Sequence, residues 1–393
     1  MQNPAIVVVA YNRLLPVKRL LSSIIKAKYP EANIPLIISI DHHPENQEII
    51  EYAENLAWPY GEKRVQKHEM RMGLRPHVLE CADNALEYGS VILLEDDVVV
   101  AEDYYLYTLA ALKKYESDNR IAGISLYCNE WNNFARHSFR PMKSPYTTYF
   151  RQVCESWGEC WSAEQWKAFR DWLDNDPMLI PDNDMPEEVY KWPETSWGKY
   201  FTKYVVEKDL FLVVPYDARS TCFSESGQHT AEQDLTTQVC LMTGIPQRYV
   251  FPDFEQGIHY DLFYENIDVK EMLKRWTNGE GIRMDINGIH TVGKERYLVS
   301  TKKLPYKRIQ GYSLVMRPPE MNIIHEIPGN DLFLYDTAVH AKSDCSGIGI
   351  REYDLAGYNG HRLLDILIDR KRRKYKKKIQ KLICNLNPTN SNI

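Results

Sequence analysis

The sequence predicts an α/β protein: a mostly parallel sheet flanked by helices, then a small β-rich appendage and a basic C-terminal helix. Three observations predict it. Over the first 126 residues, short apolar runs alternate with stripes of helical period, the pattern of strand–helix repeats. A polar cluster sits where each of three such runs ends. From about Ile258 the helical period gives way to short runs punctuated by Gly and Pro, which read as small strands.

The elements follow in order. Ala5–Ala10 is a continuous apolar run, as expected of a strand buried on both faces. Pro16 opens a helix, its fixed φ suiting the first helical position. Val17, Leu20, Leu21, Ile24 and Ile25 then form one apolar stripe. Leu36–Ile40 is a second strand, ending at Asp41, and Pro44–Leu56 a helix. Arg64–His68 reads as a short third strand. Pro76–Tyr88 is a helix with Val78, Ala82, Ala85 and Leu86 inward. Val91–Leu94 is a strand, Ala101–Tyr115 a helix and Ile121–Leu126 a strand. Helices of this length between strands imply right-handed parallel crossovers. The middle section is rich in Trp and Tyr, with helices expected at Ala163–Leu173 and Trp192–Tyr204 and a strand at Leu210–Pro215. In the appendage the expected strands are Arg296–Ser300, Ile309–Val315, Asn322–Ile327 and Leu332–Tyr335. Domain limits are set at 1–257, 258–345 and 346–393.

Composition narrows the class. Of 393 residues, 44% are hydrophobic and 26% charged, ordinary globular usage. No apolar stretch is long enough to span a bilayer, and the first apolar run is too short for a signal peptide. The eight cysteines contain no Cys-x-x-Cys pair, which suits reduced thiols in a cytoplasmic protein. Arg370–Lys378 holds eight basic residues in nine; taking those eight from a net charge of −6 leaves −14 on the rest. An acidic body with no basic patch argues against nucleic acid as a partner.

Chemistry concentrates at Glu95-Asp96-Asp97. Three adjacent carboxylates cannot enter a core, since each buried unpaired charge costs several kcal/mol. The apolar strand before them must deliver them to a wet or cation-filled site. Hard cations such as Mg²⁺ and Mn²⁺ take carboxylate oxygen and bind through one or two carboxylates plus substrate phosphates. Ligands of parallel sheets sit outside the carboxyl ends of the strands. Asn12-Arg13, Asp41-His42-His43 and the triplet each lie at such an end, so the three clusters are expected to converge on one crevice. An acidic turn facing water is the blander alternative.

These residues carry a family resemblance. The order Ala10-Tyr11-Asn12-Arg13, then Ser39-Ile40-Asp41, then Leu94 to Tyr105 around the triplet resembles the nucleotide-sugar domain of GT-A fold glycosyltransferases. The nearest likeness is to N-acetylglucosaminyltransferase I and related inverting enzymes, and to bacterial family-two sugar transferases; it covers residues 5–230. The resemblance implies Asp97 as ligand of a Mn²⁺ or Mg²⁺ ion on the donor diphosphate. It places Glu95 and Asp96 near the ribose or donor sugar, Asp41 at the nucleobase edge, Arg13 near the diphosphate and His68 by the base. Trp157-Gly158-Glu159-Cys160-Trp161 is similar to the family's aromatic turn below the acceptor.

One departure concerns the general base, an aspartate following a tryptophan in the family. Here Trp192-Pro193-Glu194-Thr195-Ser196-Trp197 is followed by Gly198 and Lys199. Glu194 is the nearest substitute, with Glu155, Glu159 and Asp184 as other options. Ser224–Thr230 reads as a polar loop that closes over the donor, with His229 touching phosphate or metal, or as an ordinary surface loop. The resemblance implies transfer of a sugar from a nucleotide-diphosphate sugar, UDP favoured, to a glycan or lipid-linked acceptor in bacterial surface polysaccharide synthesis. The basic tail suits an anionic membrane surface. A sugar nucleotidyltransferase would want a Gly-rich loop where Tyr11–Pro16 has none. A non-catalytic carbohydrate-binding protein stays open.

Overall fold

The computed structural model describes residues 3–356, apart from 176, 180, 182–183, 224–234, 291–292 and 343–346, with 364, 368, 371–372 and 375–376 beyond them. The chain divides into two compact units, Met1–Gly347 and Ile348–Ile393. In the first, the expected strand–helix alternation appears as β1 (Ala5–Ala10), α1 (Leu14–Lys26), β2 (Leu36–Ile40), α2 (Gln47–Asn55), β3 (Lys63–Lys67), α3 (Leu74–Tyr88), β4 (Ser90–Glu95), β5 (Val98–Val100), α4 (Tyr104–Tyr115) and β6 (Ile121–Ser125). A two-residue ribbon, β7 (Trp131–Asn132) and β8 (His137–Ser138), precedes β9 (Thr148–Arg151), β10 (Glu159–Ser162), α5 (Ala163–Leu173), α6 (Glu187–Tyr190), α7 (Trp197–Glu207), β11 (Phe211–Pro215), β12 (Ser220–Cys222) and β13 (His259–Tyr260).

Nine strands form one sheet in the order β13-β9-β11-β6-β10-β4-β1-β2-β3. From β4 to β3 every pairing is parallel. The period of two decides which side chain goes where. Ile6, Val8 and Ala10 join Leu36, Ile38 and Ile40 under α1, α2 and α4. Ala5, Val7 and Val9 join Ile37, Val91 and Leu93 on the other face, with α3, α5 and α7. A strand buried on both faces cannot alternate polar and apolar, which is why these runs are continuously apolar.

The largest departure from the expected topology is β10. It runs antiparallel between β4 and β6, with Glu159 opposite both Leu93 and Ser125. The Trp157–Trp161 segment is therefore half turn and half strand. Gly158, at φ 106°, makes the bend, and a Cβ there would meet Leu126 and the Ser220 hydroxyl at 3.1–3.2 Å. Because β10 is reversed, the residues just before it emerge at the carboxyl end of β4, where the triplet lies.

Smaller departures have local causes. Helix α1 begins at Leu14, so Pro16 is its third residue; the first turn lacks intrahelical donors anyway, and proline is tolerated there. Helix α7 starts at Trp197, five residues later than expected. Leu86 is 52% exposed, because it lies at the edge of the stripe made by Val78, Ala82 and Ala85. The β-rich appendage contains α8 (Val269–Thr277), β14 (Ile282–Asp285), β15 (Tyr297–Ser300), β16 (Tyr306–Tyr312), α9 (Met321–Ile324) and β17 (Leu332–His340). Its four strands pair in the order β14-β15-β17-β16. The strand expected at Asn322–Ile327 is instead the short α9. The fully buried Asn322 side chain bonds the backbone of Val315, Met316 and Pro319 and fixes a turn there. In the second unit, α10 spans Ile350–Leu355.

Candidate functional site

The parallel register brings the strand ends into line. Val9 pairs with Glu95, Ala10 with Ile40 and Ile40 with Lys67. Arg13, Asp41 and the triplet therefore leave the sheet at one edge. Arg13 grips Asp96 with two guanidinium nitrogens, one of them Nε at 3.3 Å from Oδ2. Its Nη2 lies 3.6 Å from Asp97 Oδ2. Burial opposes the Arg13 charge, but the two carboxylates outweigh it and hold the guanidinium charged. Asp96 is 6% exposed. Burial pushes it up to about 6 against the pull of Arg13, so it remains ionised at neutral pH. Asp97 is different: its Oδ1 is buried with no hydrogen-bond partner among the described residues. A carboxylate oxygen in that state calls for a donor or a cation.

Glu95 faces the other way. Its Oε1 accepts a 3.4 Å bond from Trp197 Nε1. Burial, and next the Asp97 charge, push its carboxyl up to about 8. Its carboxyl therefore holds its proton to higher pH than an ordinary glutamate.

Asp41 is 4% exposed and works as a loop staple. Oδ1 accepts from the backbone of His42 and Met72 at 2.8 Å, and Oδ2 from Gly73 at 3.0 Å. Burial acts against its charge, but those three N–H groups and nearby His77 leave it below the usual carboxylate range. Gly73, at φ 85°, is the N-cap of α3, a conformation few other residues adopt. His68 Nε2 lies 3.2 Å from Ser39 Oγ, which also bonds His77 Nε2 at 2.8 Å. Both histidines face inward onto β2, and burial drives His77 down to about 4. Outside them, Arg71 lies over the Tyr11 ring at 4.5 Å, and His43 meets that ring edge-on at 5.1 Å.

A cavity of about 310 Å³ opens beside the triplet. Glu95, Arg151, Glu155, Trp157, Trp192 and Trp197 are among its walls, with Asn133, Phe134 and Tyr264. Glu155 is held from one side. Its Oε1 accepts from Asn129 Nδ2 at 2.7 Å and lies 3.9 Å from Arg151 Nη1. The same Arg151 nitrogen bonds Asn129 Oδ1. Arg151 is fully buried, its guanidinium 3.5 Å over the Tyr264 ring. Burial raises Glu155 above the ordinary glutamate range, while Arg151 and Asn129 pull it back. Glu159 is a support: its Oε1 accepts from the Glu155 backbone at 2.8 Å, and burial pushes its carboxyl well above the usual glutamate range.

Trp161 belongs to the core, packed at 4.9 Å on Trp166 and 5.8 Å on Trp197. Trp157, half-buried, reaches the cavity. Glu194 does not line it. Its side chain is 70% exposed, bound to Lys199 Nζ at 2.6 Å and to the Tyr200 hydroxyl, and that pairing lowers its pKa. Asp184 lies in the loop before α6, also outside the cavity wall. His229 lies outside the described residues, as does most of Arg370–Lys378. Among the described residues no three His, Cys, Asp or Glu side chains gather as a metal cage, and no helix is long and apolar enough to cross a membrane. Sequence reasoning missed Asn129 and Arg151. The only signal was an arginine closing the aromatic run Tyr149-Phe150, a charge that a buried strand must partner.

No protein-family model and no curated protein matches the chain. Among solved structures it is similar to S. aureus TarS 1–349, at 17% identity over 56% of this chain and 60% of that one, with a TM-score of 0.36. TarS 1–349 in complex with UDP-GlcNAc matches at 15% over 57% and 60%, TM-score 0.37. The mannosyltransferase PcManGT from Pyrobaculum calidifontis, in complex with GDP-Man and Mn²⁺, matches at 12% over 55% and 57%, TM-score 0.33. The chain thus spans about 60% of the length of these structures.

Proposed function

We propose that this protein is a glycosyltransferase that moves a sugar from a nucleotide-diphosphate sugar, with a divalent ion, to a hydroxyl acceptor. The observation that carries the reading is Asp97. A strand end delivers its carboxylate to the crevice, with one oxygen buried and unpartnered, beside a charged arginine. A single carboxylate completed by substrate phosphates suits Mn²⁺ or Mg²⁺, which need no all-protein cage. When bound, such an ion neutralises charge on the departing diphosphate.

The chain's own residues supply the rest. Arg13 braces Asp96 and keeps positive charge at the diphosphate edge. Glu95, which lines the cavity beside the triplet, is placed to hydrogen-bond a donor-sugar or ribose oxygen. The Asp41 staple holds the Met72–Gly73 loop beside Tyr11 and Arg71, an aromatic and cationic face suited to a base. His68 stands behind it, and a role for His229 belongs to the same reading. The base role read onto Glu194 has less support, because Lys199 and Tyr200 already occupy its carboxylate and it stands outside the cavity. Single displacement with inversion, a hexosyl or N-acetylhexosaminyl donor, kinship with N-acetylglucosaminyltransferase I and work on surface polysaccharide at the cytoplasmic membrane face complete the proposal. The test is a screen of UDP-, GDP- and dTDP-sugars reading out released nucleoside diphosphate, with and without Mn²⁺. Metal-dependent release supports the reading. Sugar-phosphate turnover with a nucleoside triphosphate instead would make the protein a nucleotidyltransferase. Binding without turnover would make it a carbohydrate-binding protein.

A further inference from the structure

We infer that the acceptor is a pyranose ring seated in the Trp157–Trp197 cavity, and that Glu155 takes the proton from its attacking hydroxyl. The inference rests on the nucleotide-sugar reading and extends it to the second substrate.

The cavity has the chemistry of a sugar site. Trp157, Trp192 and Phe134 supply faces against which the C–H side of a ring packs, while Glu155, Asn133 and Glu95 supply hydrogen bonds at the rim. At about 310 Å³ it has the size of a small-ligand site. Glu95 connects the two halves, since it belongs both to the acidic triplet and to the cavity wall. A hydroxyl held in the cavity therefore lies next to the place where the donor sugar is held.

Glu155 has the build of an oriented base. Asn129 and Arg151 engage Oε1. No described hydrogen bond occupies Oε2, and the side chain keeps 12% exposure, toward a cavity it lines. A base positioned by a third group is the recurring arrangement for proton abstraction. Glu159 locks the segment from below through the Glu155 N–H. The step balances. As Glu155 removes the acceptor proton, the oxygen lone pair forms a bond to the anomeric carbon. The bond from that carbon to phosphate breaks, and its electron pair leaves with the nucleoside diphosphate.

The experiment uses the full chain with Mn²⁺, nucleoside diphosphate binding by calorimetry, and a panel of methyl α- and β-pyranosides as acceptors. For wild type the expected result is pyranoside-dependent release of nucleoside diphosphate. In Glu155→Gln that release falls about 10²–10⁴-fold, with nucleotide binding unchanged. In Asn129→Ala the acidic limb of kcat/KM moves to higher pH, because the carboxylate loses a donor that favours its charged form. Trp157→Ala raises the acceptor KM and leaves nucleotide affinity alone. Nucleotide binding with full turnover in Glu155→Gln overturns the base assignment. Transfer to peptides or lipid phosphates but to no pyranoside overturns the acceptor class. Failure of wild type to bind any nucleotide overturns the parent reading, and is told apart by calorimetry alone.

Discussion

At the residue scale, the informative groups are carboxylates in unequal surroundings. Glu95 is held up to about 8 and Asp96 to about 6, while Asp41 is held below its ordinary range. Glu95 binds more protons folded than unfolded between its ordinary pKa, near 4.5, and 8. Its contribution to stability is therefore present at low pH and lost as pH rises through that window. Glu95→Gln, permanently neutral, should melt higher than wild type at pH 8.5 and nearly alike at pH 5. The gain is on the order of 1–2 kcal/mol, after discounting the per-unit value for partial exposure. Thermal melts at the two pH values check it; equal differences at both would contradict it. The triplet was legible in the sequence because three acids after an apolar strand have no core explanation. The division of labour within it was not, because the Arg13–Asp96 grip depends on how a loop after one strand meets the tip of another.

At the element scale, β10 builds the site. Its reversed direction carries Glu155 and Trp157 to the tip of β4, and Gly158 makes the bend. Gly158→Ala adds a methyl against Leu126 and Ser220 at a positive φ. It should cost about 1–3 kcal/mol and lower kcat/KM more than any change at Glu194, whose carboxylate is already occupied. Chemical denaturation and steady-state kinetics check both halves. A second brace is the buried pair of Asp103 and Arg219, Nε to Oδ2 at 3.3 Å, with the Tyr249 hydroxyl on the same oxygen at 3.0 Å. It fastens α4 beside β12, which in turn pairs with β5 just beyond the triplet. Arg219→Ala leaves the buried Asp103 carboxylate without its cation, held by the Tyr249 hydroxyl, and should cost about 3–5 kcal/mol, read from the urea midpoint. Continuous apolar runs disclosed β1, β2 and β4 directly. An antiparallel strand of four residues inside a Trp-rich stretch has no such signature, so Trp157–Trp161 read as a turn.

At the scale of the whole molecule, the acidic body and the basic C-terminal segment are chemically separate, and the contact pattern divides the chain at Gly347. Truncation after Gly347 should leave the melting temperature of the first unit within about 2 °C, slightly more than the shift expected from about 1 kcal/mol in a unit of this size. A larger loss, measured by differential scanning calorimetry, would show that the two units share a core. The sheet, and the meeting of Arg13, Asp41 and the triplet at its carboxyl edge, were readable because parallel α/β topology fixes where strands end. The order within the appendage was not, since its short strands pair across long sequence separations. The central claim is tested most directly by titrating UDP into the protein with Mn²⁺, for wild type and Asp97→Ala. Metal-dependent binding by wild type that disappears in Asp97→Ala is the predicted result, and binding indifferent to both Mn²⁺ and Asp97 would contradict it.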